Sequence, residues 1–432
     1  MQQSLSHRQV VVVFSGLMLG LLLAGLDHTI VATALPTIVG DLGGLDQLSW
    51  VVTAYLLATT VSAPLYGKLG DLYGRKRCFQ GAIVIFLAGS ALCGAAQNMA
   101  QLIAFRALQG LGGGGLIVLA QAIVGDVVSP RERGRYQGYL GAVFGVSSVL
   151  GPLIGGFFTD HLTWRWAFYV NLPLGAVALA VTGAVLPDAA ARLRPRIDAA
   201  GAVLLSATVT GFVLVTSWGG NQYAWGSAPV VGVAAATVAL AGAFLAVERR
   251  ASDPVLPLRL FRNRIFAVIA AASFLVGAAM FATFSFLPVF LQVVGGASAT
   301  TSGLLLVPLM AGLLASSITT GRVISRTGRY RTFPIAGTAL SAAGLALFSS
   351  MGPGTTLVMA GLYMAFFGIG IGMVMPVLVL VIQNAVEHSE LGVATSTAWF
   401  LRSVGGSVGV ALLGAAFASR LAGSPAGARV GG

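Results

Sequence analysis

Charge chemistry in this chain falls to a handful of side chains, and the first of them stands where a charge is costly. Asp27 lies within LLLAGLDHTIVATALPTI, residues 21–38, with His28 beside it. Ionisable groups inside an apolar span are expensive and mark proton or substrate paths. Apolar surroundings favour a protonated carboxylate, whereas a nearby cation favours the ionised form. A cation that approaches in one conformation and withdraws in another would load and unload a proton on Asp27. Arg106 is the candidate: in RALQGLGGGG, residues 106–115, it enters another apolar run near its beginning, and Gln109 shares its helix face. Asp27 and Arg106 are therefore read as a proton-coupling pair. The plainer roles are a structural Asp bonded to hydroxyls such as Thr29, and an Arg snorkelling to headgroups. The other twelve of the 13 acids lie in loops or near the ends of apolar runs.

A pair of this kind needs a bilayer around it. Of 432 residues, 56% are hydrophobic and 9% charged, and the mean hydropathy is +0.89; soluble domains carry about 25% charged residues. The class is an all-α polytopic membrane protein. Runs long enough to cross, about 20 residues each, fall near 10–32, 49–66, 79–97, 101–125, 137–158, 166–186, 199–217, 228–247, 266–292, 303–321, 333–350, 355–382 and 393–418, thirteen in all. The first is too long for a cleavable signal peptide and lacks a cleavage site. With the N-terminus in the cytoplasm, Arg8, Lys68, Arg75, Lys76, Arg77, Arg131, Arg133, Arg135 and the later basic clusters all fall inside, and only Arg165, Arg420 and Arg429 fall outside. The net charge of +12 is thus a topology device beside anionic lipid, and no nucleic acid is expected.

The chain repeats itself. An offset of 258 aligns Gly110, Gly112 and Gly114 with Gly368, Gly370 and Gly372, and Glu132 and Gly134 with Glu390 and Gly392. An offset of 254 aligns GKLGDLYGR (67–75) with GRVISRTGR (321–329). Two pseudo-repeats of six spans, with two extra spans between them, account for this. The expected division is residues 1–190 for a first six-helix bundle, 191–262 for the inserted pair with its loops, and 263–432 for a second bundle with five spans present. The counterpart of span 6 would fall at 424–444, past residue 432.

Five motifs now carry a resemblance. GKLGDLYGRKR (67–77) resembles the loop 2–3 signature of the major facilitator superfamily, and RALQGLGGGG its span 4 motif. GVSSVLGPLIGG (145–156) resembles the antiporter motif of drug exporters. LDHTIVATALP (26–36) and WRWAFYVNLPLG (164–175) are similar to signatures of the fourteen-span drug:proton antiporters of the EmrB/QacA type. Ala32 and Thr33 depart from that pattern. The resemblance implies a major facilitator fold and proton-driven export, from a bacterial cell membrane, of small amphipathic, cationic or aromatic compounds by alternating access. It also implies a conformational latch in which Asp126 partners Gly67, Asp71, Gly74, Arg75 and Lys76.

The residues argue alongside it. Asp71 among Lys68, Arg75, Lys76 and Arg77 suits a charge-pair latch, with plain topology charge as the alternative. Gly145, Gly151, Gly155 and Gly156 around Pro152 permit close helix approach and a kink. Arg402, within FLRSVGGSVG, either snorkels or functions. Gln109, Trp50, Tyr55, Phe284, Tyr363 and Phe366 are candidates for an apolar substrate cavity. Cys78 and Cys93 lie about 22 Å apart along one helix and cannot bridge. His28, His161 and His388 lack metal spacing, and no cofactor is expected. The absence of a GxxxxGK loop and of a nucleophile–base pairing argues against an ATP-driven pump and an enzyme. The rival readings are a metabolite or nutrient transporter of the same superfamily, and a membrane sensor or membrane-bound enzyme. Substrate, protons and lipid are the expected partners of a monomer. Cysteines replacing Ser4 and Ser424 are expected to label from opposite membrane faces, position 4 from the cytoplasm; labelling of both from one face would overturn the thirteen-span topology.

Overall fold

A computed structural model describes residues 7–44, 47–130, 132–186, 198–220, 222–293, 306–352 and 354–422. Its elements are helical, because a backbone in lipid must satisfy its own polar groups. Thirteen long helices stand in the described residues: α1 (His7–Leu42), α2 (Leu48–Tyr73), α3 (Arg75–Ala95), α4 (Met99–Val127), α5 (Arg133–His161), α6 (Trp166–Val185, interrupted at Val170), α7 (Ala199–Trp218), α8 (Ala228–Glu248), α9 (Arg264–Val293), α10 (Leu306–Thr327), α11 (Thr332–Ser349), α12 (Leu357–Asn384) and α13 (Leu391–Ala422). Eleven are long and apolar enough to cross a bilayer by composition. The other two, α2 and α13, run 26 and 32 residues.

Each apolar run of the sequence becomes one helix, with one revision. GKLGDLYGRKR is not an open loop: α2 continues to Tyr73 and α3 starts at Arg75, leaving Gly74 as the single break. Its φ of 94° belongs to a region that suits glycine. Arg75 is thereby held one turn from Asp71.

The first six helices pack together around α4, against which α2 and α3 lie, with α1 on α5 and α6. In the later part α9 packs on α13, and α10 and α11 pack on α12. The inserted helices α7 and α8 pack on each other, and α7 also touches α2 and α13. Only 11% of the most apolar stretch of α8 is buried, against 83% for α4; a helix apolar all round and this exposed faces lipid.

Two seams join the halves, α2 on α13 and α5 on α10. A Cβ at Gly67 would meet Ser396 and, at 2.7 Å, the carbonyl of Gly392. A Cβ at Gly321 would meet the carbonyl of Gly134 and, at 3.1 Å, Cα of Arg135. The repeat that aligns Gly67 with Gly321 and Gly134 with Gly392 thus appears in space as two crosswise glycine contacts, as a pseudo-two-fold axis requires. Both lie at the end of the molecule that carries Arg75, Arg133 and Arg322, hereafter the basic end.

Away from that end the halves part. On α5 the seam face runs Gly134, Gly138, Gly141, Gly145, then Pro152 and Gly156. Gly138 and Gly141 face Ser317 and Gly145 faces Leu314, but Pro152 is exposed and a Cβ at Gly156 would meet nothing within 4 Å. Val307, further along the facing side of α10, is exposed too. Among the described residues, the α5–α10 seam is closed at the basic end and parts toward the other.

The motif GVSSVLGPLIGG therefore faces two ways. Gly145 belongs to the seam, whereas Gly151 and Gly155 receive α1: a Cβ at Gly151 would meet Thr29, and one at Gly155 would meet Thr33 and, at 2.9 Å, the carbonyl of Ile30. Overpacking a tight contact costs about 1–3 kcal/mol. Gly155→Leu is expected to lower the thermal unfolding midpoint of the purified protein and abolish transport, while Gly156→Ala leaves both unchanged. A Gly155→Leu protein as stable as the parent would place that glycine against lipid instead of α1.

Candidate functional site

Asp27 and Arg106 meet. Asp27 is 0% and Arg106 1% exposed, and Arg106 Nη1 donates to Asp27 Oδ2 at 2.5 Å. The pair is fully clothed. Gln109 Nε2 and Asn171 Nδ2 donate to Asp27 Oδ1 at 2.7 and 3.1 Å. Arg106 Nη1 also reaches Gln109 Oε1 at 2.7 Å, and its Nε donates to the carbonyl of Val51 at 3.3 Å. Ser90 Oγ accepts from Gln109 and Asn171 at 2.5 and 3.0 Å. The guanidinium lies 4.2 Å over the ring of Tyr55 and 5.9 Å from that of Phe168, where cation–π attraction adds to the pairing.

Five helices build this cluster, all from the first half: α1 brings Asp27, α2 Tyr55, α3 Ser90, α4 Arg106 and Gln109, and α6 Asn171. Close approach depends on glycine: a Cβ at Gly89 would meet Cα and N of Gln109 at 2.6 Å. The three hydrogen bonds described at Asp27 are all donated to its oxygens, one to Oδ2 and two to Oδ1. Replacing one partner of such a buried pair is expected to cost about 3–5 kcal/mol, because the other charge is left bare. His28, one residue on, is exposed and stands outside the cluster.

The basic end carries the second group. Asp71 accepts from Arg75 Nη2 at 2.7 Å and, across the seam, from the backbone N–H groups of Gly392 and Val393 at 3.1 and 2.9 Å. These are orphan donors in the first turn of α13, so the carboxylate caps that helix in trans and sits at the positive end of its dipole. Arg75 Nη1 pairs with Asp126 and donates to the carbonyl of Ala122 at 2.9 Å. His388 Nε2 lies 3.1 Å from Asp126 Oδ1. Nearby, Arg133 bonds Asn384 Oδ1 and the carbonyl of Gly125 at 2.9 and 2.6 Å, and Gln383 bonds the carbonyl of Gln121 and Thr395 Oγ1 at 3.0 and 3.2 Å. Lys68, expected beside Asp71, instead pairs with Asp253 at 3.2 Å. Gly74 forms the break, and Lys76 is half-buried.

The second seam is bridged by Ser317 Oγ, which donates to the carbonyl of Gly138 at 3.3 Å, and by Arg322 Nε, which donates to Tyr139 Oη at 3.4 Å. Ser325 stands at the repeat counterpart of Asp71, and its Oγ donates to the carbonyl of Arg322 on its own helix at 2.9 Å.

Two of the six cavity candidates meet at Arg106. Gln109 and Tyr55 join the Asp27 cluster. Trp50 lies edge-on to Trp218 of α7, with ring centroids 6.5 Å apart. Phe284 packs against the core of α9, α10 and α12, and Tyr363 and Phe366 are half-buried on α12. Sequence reasoning missed Asn171, although it stands inside WRWAFYVNLPLG as a polar residue in an apolar run. It also missed Gly392, Val393 and Ser90; two backbone N–H groups and a serine carry no residue-type signal.

Asp71→Asn keeps the fold but removes the charge that caps α13. The expected outcome is severely slowed transport together with faster alkylation of a cysteine placed at Ser396. Unchanged rates of both would reduce Asp71 to a topology signal.

Comparison with known proteins agrees with this geometry. Residues 17–410 match the Major Facilitator Superfamily. The chain is 39% identical over 406 residues to the multidrug transporter protein MdtP of Bacillus subtilis, covering 94% of this chain and 75% of that protein. It is 47% identical over 410 residues to the uncharacterized MFS-type transporter Rv1877 of Mycobacterium tuberculosis, covering 95% of this chain but 60% of that protein; the chain thus spans about three fifths of that relative's length. A crystal structure of the human organic anion transporter MFSD10 shares the fold, with TM-score 0.70, 20% identity and 94% of both chains covered. A chain matched along nearly its whole length, with helices paired across two seams by its own internal repeat, belongs to the Major Facilitator Superfamily of membrane transporters.

Proposed function

We propose that this protein is a proton-driven exporter of small amphipathic compounds, of the fourteen-span drug:proton antiporter type, working as a monomer in a bacterial cell membrane with its basic end in the cytoplasm. On this reading residues 1–190 and 263–432 rock about the two seams, and residues 191–262 form an accessory pair. The observation that carries the reading is the sealed pair of Asp27 and Arg106 within a single half. The names of relatives such as MdtP support export, and the surplus of Lys and Arg at one end supports the orientation.

In the state with the basic end closed, Asp27 is held by Arg106, Gln109 and Asn171. The proton cycle then needs a second state in which α1 or α4 shifts, Arg106 withdraws, and the exposed carboxylate takes a proton from the side it faces. Gly151 and Gly155, where α1 rides on α5, are the contacts that such a shift would slide across. Asp27 itself is a poor receptor for a cationic drug in this state, since donors already fill both of its oxygens.

The test is transport in proteoliposomes with an imposed pH gradient. Asp27→Asn is expected to reach the membrane and to lose gradient-driven export. Adding Arg106→Gln should restore thermal stability, by removing the bare cation, without restoring coupling. Undiminished gradient-driven export by Asp27→Asn would show that another group carries the proton.

A further inference from the structure

Arg402 is the intramembrane charge that the site described so far leaves unused. It is the twelfth residue of α13, half-buried, and its Nη1 lies 3.4 Å from Met375 Sδ on α12. Among the described residues no carboxylate pairs with it. Residues 263–422 contain two acids, Glu387 and Glu390. Glu390 is bound to Arg259 at 2.5 Å and precedes Arg402 by twelve positions, about 18 Å along a helix. Asp27, the one acid well inside an apolar span, is paired with Arg106.

The surroundings place Arg402 on the inner side of α13. Phe400, nearly opposite it on the helical wheel, packs against α7, α8 and the 249–262 segment, and the backbone of Arg402 packs on Gly277 of α9. Thr395 shares the face of Arg402 two turns nearer the basic end. There Thr395 bonds Gln383, which reaches the carbonyl of Gln121 in the other half. Arg402 and Met375 therefore stand about 10 Å above the polar floor where the halves close, on the side where they part.

A guanidinium in an apolar, half-desolvated position without a counter-charge is costly, and such groups face the bundle interior or a water-filled cavity. We infer that Arg402 is a substrate-binding residue that recognises an anionic group, a carboxylate in the first place, on an amphipathic aromatic compound lying in the open cleft. The planar fork of donors suits bidentate binding of that group, and Met375 offers an adaptable apolar contact beside it. The inference rests on the export reading, because it takes the cleft as the substrate route, and it replaces the sequence expectation of a cationic compound with an anionic or zwitterionic one.

The test is equilibrium binding to purified protein in nanodiscs, without any gradient, of three pyrene probes: 1-pyrenebutyrate, its primary amide and 1-pyrenebutylamine, read by energy transfer from tryptophan. Charged hydrogen bonds are strong enough for about a tenfold preference. The parent protein is expected to bind the carboxylate about tenfold more tightly than the amide. Arg402→Gln should make acid and amide equal, Arg402→Lys should keep the preference in weaker form, and Arg402→Glu should favour the amine. No preference for the carboxylate in the parent, whether all three bind alike or none binds, overturns the inference, as does a preference that survives Arg402→Gln. Because no gradient is used, a failure of proton coupling leaves this result untouched.

Discussion

A carboxylate from one half of the molecule sits on the first turn of a helix from the other half, and the closed basic end depends on it. Asp71 satisfies two N–H groups of α13 that would otherwise lack partners, and Arg75 fixes the carboxylate from behind while binding Asp126 and the end of α4. The cap has a geometric precondition. Gly67 and Gly392 lie backbone to backbone, so α2 and α13 come close enough for a side chain as short as Asp to reach across. Remove the glycines and the charge cannot arrive; remove the charge and the glycine contact has only dispersion to hold it.

The two seams share a backbone plan but not a chemistry. The pseudo-repeat supplies crosswise glycine contacts at both, yet Ser325 stands where Asp71 would be repeated. One seam carries a buried carboxylate on a helix end, and the other carries Ser317 on the carbonyl of Gly138 and Arg322 on Tyr139. An alternating-access cycle needs a closed state that is stable but escapable, and a population swing of a few kcal/mol is enough to reverse occupancy. Placing the carboxylate cap at one seam makes that seam adjustable by a single group, Asp71.

Much of this was legible in the residues, for physical reasons that differ by feature. Bilayer thickness forces each span to announce itself as an apolar run, so all thirteen helices were readable. The cost of an intramembrane charge made Asp27 and Arg106 conspicuous, and their pairing followed from there being few other options. Gly67, Asp71 and Arg75 were readable as a motif, but the object they grip was not, because a backbone N–H is present at every residue. Lys68 was misassigned for a related reason: proximity in sequence to Asp71 said nothing about Asp253, which an inserted loop delivers from 185 positions away. The aromatic candidates carry no such signal, because an aromatic residue in lipid, core or cleft has the same composition signature.

The inserted pair has a mechanical meaning. Glu248 at the end of α8 accepts from the N–H groups of Val255 and Leu256 at 3.1 and 3.3 Å, which shapes the segment that reaches Lys68 on α2 through Asp253 and Glu390 at the start of α13 through Arg259. A helix pair of which α8 is largely exposed to lipid is thus stapled to both helices of the charged seam. Hydrophobic helices tilt to match the thickness of the bilayer around them. On the alternating-access reading, tilting of α7 and α8 would pull on the staple, so that the thickness of the surrounding membrane would become a load on the opening of the basic end.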